Sequence, residues 1–269
     1  MPAPIDPNTT AKPRPSASRL RLLSCNILAG GSVRRYRHYV TESWKQVLPM
    51  RGKRGNLDRF AALLADFDIV GLQEADAGSL RSGFLNQTQY LAEAAGFPYW
   101  SHQPNRKIAQ FAASSNGLLT RIKPSEVHDY PLPGRIPGRG ALLAKFPTRA
   151  GELVVVVAHL SLGPVARMRQ LGFIADLIGG HPLALVMGDL NCALDSPELV
   201  ALLRRTGLSP ASGVPPPTFP SWRPRRAIDH ILVSEKMEIE QLYTLPHPVS
   251  DHLPLAATIR LPEPLRRDA

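Results

Sequence analysis

The chain has 269 residues, enough for one large domain or two small ones, and its 43% apolar and 20% charged residues are ordinary for a soluble globular protein. No run approaches the roughly 18 apolar residues of a membrane-crossing helix, and the two cysteines, Cys25 and Cys192, fit neither a zinc site nor a disulfide scaffold. The net charge of +10 favours an acidic partner: nucleic acid, an anionic lipid surface or a phosphorylated metabolite.

Residues 1–18 are rich in Pro, Ala, Ser and Thr and carry no apolar stretch of signal-peptide type, so a disordered tail and a cytoplasmic location are expected. A first strand is expected over 19–28, with Leu20, Leu22 and Leu23 ahead of Ser24-Cys25-Asn26. The stretch 34–54 interleaves cations with Tyr36, His38, Tyr39 and Trp44, a pattern that suits a phosphate-bearing ligand or a solvated loop. Asn56 reads as the cap of a helix carried by Leu57, Phe60, Ala61, Leu64 and Ala65. A buried strand over 68–74 ends at Glu74. A helix follows over 84–95, with Gly96 as its stop.

Short strands are expected over 116–120 and 141–146, the second entered from a Pro/Gly loop holding Arg135 and Arg139. Residues 153–160 are strongly β-prone and include His159. A helix opens at Pro164 and runs to about 178. A buried strand over 183–187 stops at Gly188-Asp189-Leu190-Asn191, a helix spans 197–205, a Pro-rich loop spans 214–224, and the last strands cover 228–233 and 255–260. Strands and helices alternate, but hairpin-like successions of strands also occur. The pattern therefore suits a layered α/β sandwich in one domain better than a doubly wound sheet.

Five apolar segments stop at a residue with acid–base or metal-binding chemistry: Asn26, Glu74, His159, Asp189 with Asn191, and Asp251 with His252. A rigid sheet can aim such side chains into one cleft. The chemistry that suits them is hydrolysis of a phosphate ester. A hard divalent cation neutralises the phosphate oxygens and the leaving alkoxide, and magnesium needs only one or two carboxylates. A base prepares the attacking water, and cations or amides hold the remaining phosphate oxygens. A carboxylate beside an imidazole, such as Asp229 beside His252, would keep that ring cationic near neutrality.

Six motifs, Ser24-Cys25-Asn26, Leu72-Gln73-Glu74, Val157-Ala158-His159-Leu160, Gly188-Asp189-Leu190-Asn191, Ile228-Asp229-His230-Ile231-Leu232 and Ser250-Asp251-His252-Leu253-Pro254-Leu255, occur in this order along the chain. As a set they resemble the endonuclease/exonuclease/phosphatase superfamily. The resemblance implies a DNase I-like fold: a four-layered α/β sandwich of two mixed, mostly antiparallel sheets packed face to face and flanked by helices. It also implies a domain over 19–263, which leaves 264–269 as a C-terminal tail, and a magnesium cofactor that manganese can replace.

The implied roles are specific. Glu74 ligates the metal. Asn26 holds the metal's water shell or the phosphate, and Asp251 helps with the metal or its water shell. Asp189 orients or deprotonates the water, and Asn191 bonds the scissile phosphate. His252, charged by Asp229, contacts a phosphate oxygen, and His159 stabilises the transition state. Arg139 matches an arginine that approaches the substrate phosphate in relatives. Asn116 lines the cleft or caps a turn. Trp222, with Phe219, walls the substrate pocket or packs under its loop. Arg167 and Gln170 are expected to be structural.

The expected function is a metal-dependent hydrolase of phosphodiesters, acting as a monomer on nucleic acid, on anionic phospholipid or on a small-molecule diester. A phosphomonoesterase, or a non-enzymatic phosphate-binding module, is the alternative. Substrate choice in such a fold resides in the loops.

Overall fold

The structure is a computed structural model that describes residues 18–28, 51–78, 85–108, 112–134, 138–149, 151–211, 213–247 and 249–266. Residues 1–17, and with them nearly all of the expected N-terminal tail, lie outside these, as do the aromatic–basic stretch up to residue 50 and Arg135.

The elements run β1 (Arg19–Asn26), α1 (Arg51–Leu64), β2 (Ile69–Asp76), α2 (Gln87–Ala95), β3 (Tyr99–Ile108), β4 (Ala112–Thr120), β5 (Glu126–Pro131), β6 (Gly140–Thr148), β7 (Gly151–His159), α3 (Pro164–Ile178), β8 (Leu183–Asp189), α4 (Pro197–Thr206), β9 (Leu208–Ser209), β10 (Asp229–Ser234), β11 (Glu238–Thr244) and β12 (Leu255–Arg260). They form two six-stranded sheets, ordered β11-β12-β1-β2-β4-β3 and β5-β6-β7-β8-β10-β9. Each is mixed: β1–β2 and β7–β8 pair in parallel and the other pairs are antiparallel.

Alternation along the strands builds the layers. Leu20, Leu22 and Ile69 of the first sheet face Val155, Val157, Leu185 and Met187 of the second across a central core. Their neighbours Leu23 and Val70 face α1 and α2 on one outer side, while Val154, Val156 and Val186 face α3 and α4 on the other. The valine run 154–157 is continuous because both of its faces are buried. The result is the four-layered sandwich expected from the sequence.

Close approach of the sheets constrains one glycine in particular. A Cβ on Gly71 would lie 2.9 Å from Met187 Cε and 3.0 Å from Val157 Cγ2. Arg121, at the end of β4, donates to the carbonyls of Ala65, Phe67, Ala95 and Gly96, so a single guanidinium ties together the ends of α1 and α2.

Some expectations need correction. Asn56 is not a helix cap: α1 starts at Arg51, and the Asn56 side chain accepts from Arg59 Nη2 inside the helix. The helix expected over 84–95 is capped by Asn86, which accepts from Gln89 N, and it ends at Gly96 in the left-handed region, φ 69°. Residues 264–266, expected in the tail, pack back on the fold: Leu265 is buried and bridges to Thr148, and Arg266 N donates to Pro147 O. Strands β3, β5, β9 and β11 were not anticipated. All four are edge strands: β9 has only two residues, the other three have weak apolar patterning, and β3 contains Pro104 at a register shift.

Candidate active site

Strand parity sets the position of the site. Residues 20, 22, 24 and 26 of β1 point toward the central core, as do 155, 157 and 159 of β7, 185, 187 and 189 of β8, and 229 and 231 of β10. The last inward positions are Asn26, His159, Asp189 and Asp229, so the core between the sheets ends in a polar cap. Register fixes them side by side, because His159 pairs with Asp189 and Asp189 with Asp229. The glycine before Asp189 is required: a Cβ on Gly188, φ 147°, would sit 1.9 Å from Ala158 O.

Asp189 is the hub. Its Oδ2 accepts from Asn26 Nδ2 at 3.2 Å across the gap between the sheets, and it lies 3.4 Å from His159 Nε2 and 3.7 Å from His252 Nε2. His252 Nδ1 lies 2.8 Å from Asp229 Oδ2, which also accepts from the Thr218 hydroxyl. Asp189 Oδ1 accepts from Asn191 N at 3.1 Å, while Asn191 Nδ2 donates to Leu160 O at 2.9 Å.

Glu74 is half-buried, and its Oε1 is 3.8 Å from His159 Nε2. It sits at a register shift in β2 with φ 57°, and Asn191 has φ 54°. Left-handed backbone in such residues is strained by about 1–3 kcal/mol each and persists where the surroundings over-determine it. Here it marks two of the site residues. Ser250 holds the Asp251–His252 turn, donating to Asn26 O and accepting from His252 N at 3.0 Å. Asp251 is buried, and its carbonyl accepts from Ser221 N at 2.7 Å.

Arg139 joins the cluster, its Nη1 lying 2.7 Å from both ring nitrogens of His159. Asn116 neither lines an open cleft nor caps a turn. It is buried on β4 and donates to Gln103 Oε1 at 3.2 Å and to Gly140 O at 2.7 Å, which ties the first sheet to the start of β6 beside Arg139. The aromatic ring against His252 is Phe219, with centroids 5.0 Å apart and planes at 52°; Trp222 is half-buried on the same loop. Arg167 and Gln170 are structural as expected. Arg167 pairs with buried Glu198 at 2.7 Å, and Gln170 accepts from Ser161 N and donates to Ser161 Oγ, both at 2.9 Å. Thr218, Ser250 and Gly188 were not singled out from the sequence. Gly188 and Ser250 lie within motifs read for other residues and Thr218 within the Pro-rich loop, so only the fold reveals their contacts.

The electrostatics of the cluster are unbalanced. Asp189 is pushed up to about 7, chiefly by burial and further by Asp229 and Glu74, against the pull of His252 and Asn26. Burial also raises Asp251, again helped by Glu74. Burial opposes charging of His252, yet Asp229, Asp189 and Asp251 outweigh it and raise the ring to about 10. His159 is held well below its ordinary value by burial, Arg139 and His252, and is therefore neutral.

Four carboxylates thus crowd one imidazolium and one guanidinium. Such a surplus of oxygen donors fits a hard divalent cation. Asp189 and Asp229 bring carboxylate oxygens within 4.8 Å of each other beside the His252 ring.

A face-to-face sandwich with carboxylates, amides and imidazoles converging at its sheet ends defines a hydrolase of the DNase I-like class. Consistently, the chain matches the Endonuclease/Exonuclease/phosphatase family over residues 23–252 and belongs to that family of phosphoesterases. No curated protein sequence matches it.

Among solved structures, it resembles an endonuclease/exonuclease/phosphatase from Beutenbergia cavernae, with TM-score 0.70 and 20% identity over 91% of this chain and 72% of that one. It also resembles one from Bacteroides vulgatus, with TM-score 0.67 and 22% identity over 91% and 99% of the two chains. A Bacteroides thetaiotaomicron mannosyl-6-phosphatase gives TM-score 0.63 and 19% identity over 89% and 99%. The described residues include no helix long and apolar enough to cross a membrane.

Proposed function

We propose that the protein is a phosphodiesterase that uses magnesium, replaceable by manganese, and cleaves its substrate with an activated water. The observation that carries this reading is the hub at Asp189, where groups from both sheets meet one carboxylate oxygen. Glu74, Asn26 and Asp251 are the proposed holders of the cation. When bound, the cation supplies charge neutralisation at the phosphate and at the departing oxygen.

The chain's own groups do the rest. Asp189, at about 7, has the proton affinity of a general base near neutral pH, and it takes a proton from the attacking water. Asn26, donating to its Oδ2, keeps that carboxylate oriented. His252, cationic at about 10 and braced by Asp229, faces a phosphate oxygen whose negative charge grows during attack. Arg139 adds a second positive group, with His159 positioned beneath it. Asn191 is aimed by its left-handed backbone and its bond to Leu160 O, and it supports the phosphate.

A soluble diester, bis-p-nitrophenyl phosphate, tests the reading. Hydrolysis should require the divalent cation, stop with chelator, and fall by about 10²–10⁴-fold in Asp189→Ala. Hydrolysis confined to monoesters would replace this reading with the phosphatase one, to which the likeness to the mannosyl-6-phosphatase fold lends some weight. Binding of phosphate with no turnover of either ester would make the chain a binding module.

A further inference from the structure

The chain leaving the active site forms an apolar lip. After His159 it passes through Leu160, which is buried, and then through Leu162 into α3. Leu162 is 76% exposed, Val165 70% and Met168 43%. Large exposed hydrophobics scattered singly are ordinary. Here three of the eight among the described residues fall within seven positions. Val165 and Met168 are three apart on one helix face, and Leu162 lies three residues before Val165.

The first turns of α3 are inside out. Its polar residues point inward: Arg167 is buried on Glu198 and donates to Leu162 O, and Gln170 is buried on Ser161. Its aliphatic residues face solvent. The buried polar bonds hold the lip in place, so its exposure belongs to the folded state and does not reflect fraying.

One cation adjoins it and three more lie on a loop at the same end of the second sheet. Arg169 is exposed next to Met168. Arg223, Arg225 and Arg226 are exposed on the loop entering β10, whose first residue, Asp229, pairs with Asp189 at the same sheet end. Among the described residues none of the four has a carboxylate within salt-bridge distance.

We propose that the protein docks on an anionic phospholipid bilayer through Leu162, Val165 and Met168, and that its substrate is the phosphodiester of a phospholipid headgroup. The docking stands on the lip and its charges, and the substrate assignment rests also on the phosphodiesterase reading. Nucleic-acid backbones are gripped by cations and stacked aromatics, and aliphatic side chains gain little there. At a bilayer, aliphatics enter the interface while arginines meet the phosphates. The depth also fits. Three residues span at most about 10 Å, so Leu162 lies within that distance of His159. Interfacial segments sink roughly 5–10 Å. With Leu162 sunk that far, the catalytic cap stays within about 10 Å of it, inside the reach of the headgroup region.

The test uses the full chain sedimented with vesicles of phosphatidylglycerol and phosphatidylcholine, or of phosphatidylcholine alone. Binding should be stronger to the anionic vesicles and weaken with salt. The triple variant Leu162→Ser, Val165→Ser, Met168→Ser should bind on the order of tenfold or more weakly. Its hydrolysis of bis-p-nitrophenyl phosphate should stay within about twofold of wild type, which also verifies folding. Equal vesicle binding by both proteins overturns the proposal, and so does a wild-type chain that binds duplex DNA but no vesicles. Vesicle binding by a wild-type chain that cannot hydrolyse the soluble diester leaves the docking standing and removes the phosphodiesterase reading.

Discussion

Asp229→Asn removes one buried charge at almost constant shape. Asp229 is buried, and its Oδ2 is 2.8 Å from His252 Nδ1. The amide keeps a hydrogen-bonding oxygen and removes the charge. Two unit charges about 4 Å apart at an effective dielectric of 20 interact by about 4 kcal/mol, or roughly 3 units of pKa. Asp189 and Asp251 remain near His252 in the variant, so its ring should titrate from about 10 down to roughly 7.

The sign follows from the cation being the working form. Below about 7 the ring is protonated in both proteins; above it the variant loses the cation while the wild type keeps it until about 10. The kcat/KM ratio of wild type to variant should therefore be small at pH 6 and grow by about tenfold at pH 8. The assay is the pH profile of kcat/KM on a soluble diester between pH 5.5 and 9. A loss of the same size at every pH would refute the charge argument and leave Asp229 a purely geometric role.

Two further outcomes are expected. The raised Asp189 penalises folding as pH rises from 3.8 through about 7, so a bound cation should stabilise the protein more at pH 8 than at pH 5. At about 100 times its Kd the cation contributes about 2.7 kcal/mol, a rise of roughly 5–10 °C in Tm, and an unchanged melting curve of chelator-treated protein after magnesium addition would count against the metal site. Gly188→Ala places a methyl 1.9 Å from Ala158 O at a positive φ. It should destabilise the fold by more than about 3 kcal/mol, and a soluble variant with wild-type melting would contradict the described backbone.

The parts of the molecule legible in the sequence are those buried on two sides. Val154 to Val157, Ile69 to Leu72 and Leu183 to Met187 read as strands because both faces of each are in a core. Their polar terminal residues stood out against that apolar background. Edge strands give no such contrast: β5 is exposed along most of its length, and β11 alternates between exposed and partly buried positions. The site was legible as types of residue at strand ends. Its contacts were not, because the bond from Asn26 to Asp189 joins residues 163 apart on different sheets. Helical spacing alone would assign the faces of α3 the other way: Arg167 and Gln170, expected to be structural, point inward, while Val165 and Met168 point out.

The distance between the sheets therefore becomes a chemical variable. Asn26 reaches Asp189 only because the first sheet lies close to the second, and Gly71 and Met187 are where the two press together. Gly71 is three residues before Glu74 on β2, and Met187 is two residues before Asp189 on β8. Both strands thus carry the packing constraint directly into a site residue. Protein interiors are packed too densely to absorb an added methyl without movement. A methyl at position 71 would meet the tip of Met187 at 2.9 Å and the Val157 methyls at 3.0 and 3.1 Å, so those side chains must give way beside the strands that carry Glu74 and Asp189, and the cap feels a substitution made outside its own residues.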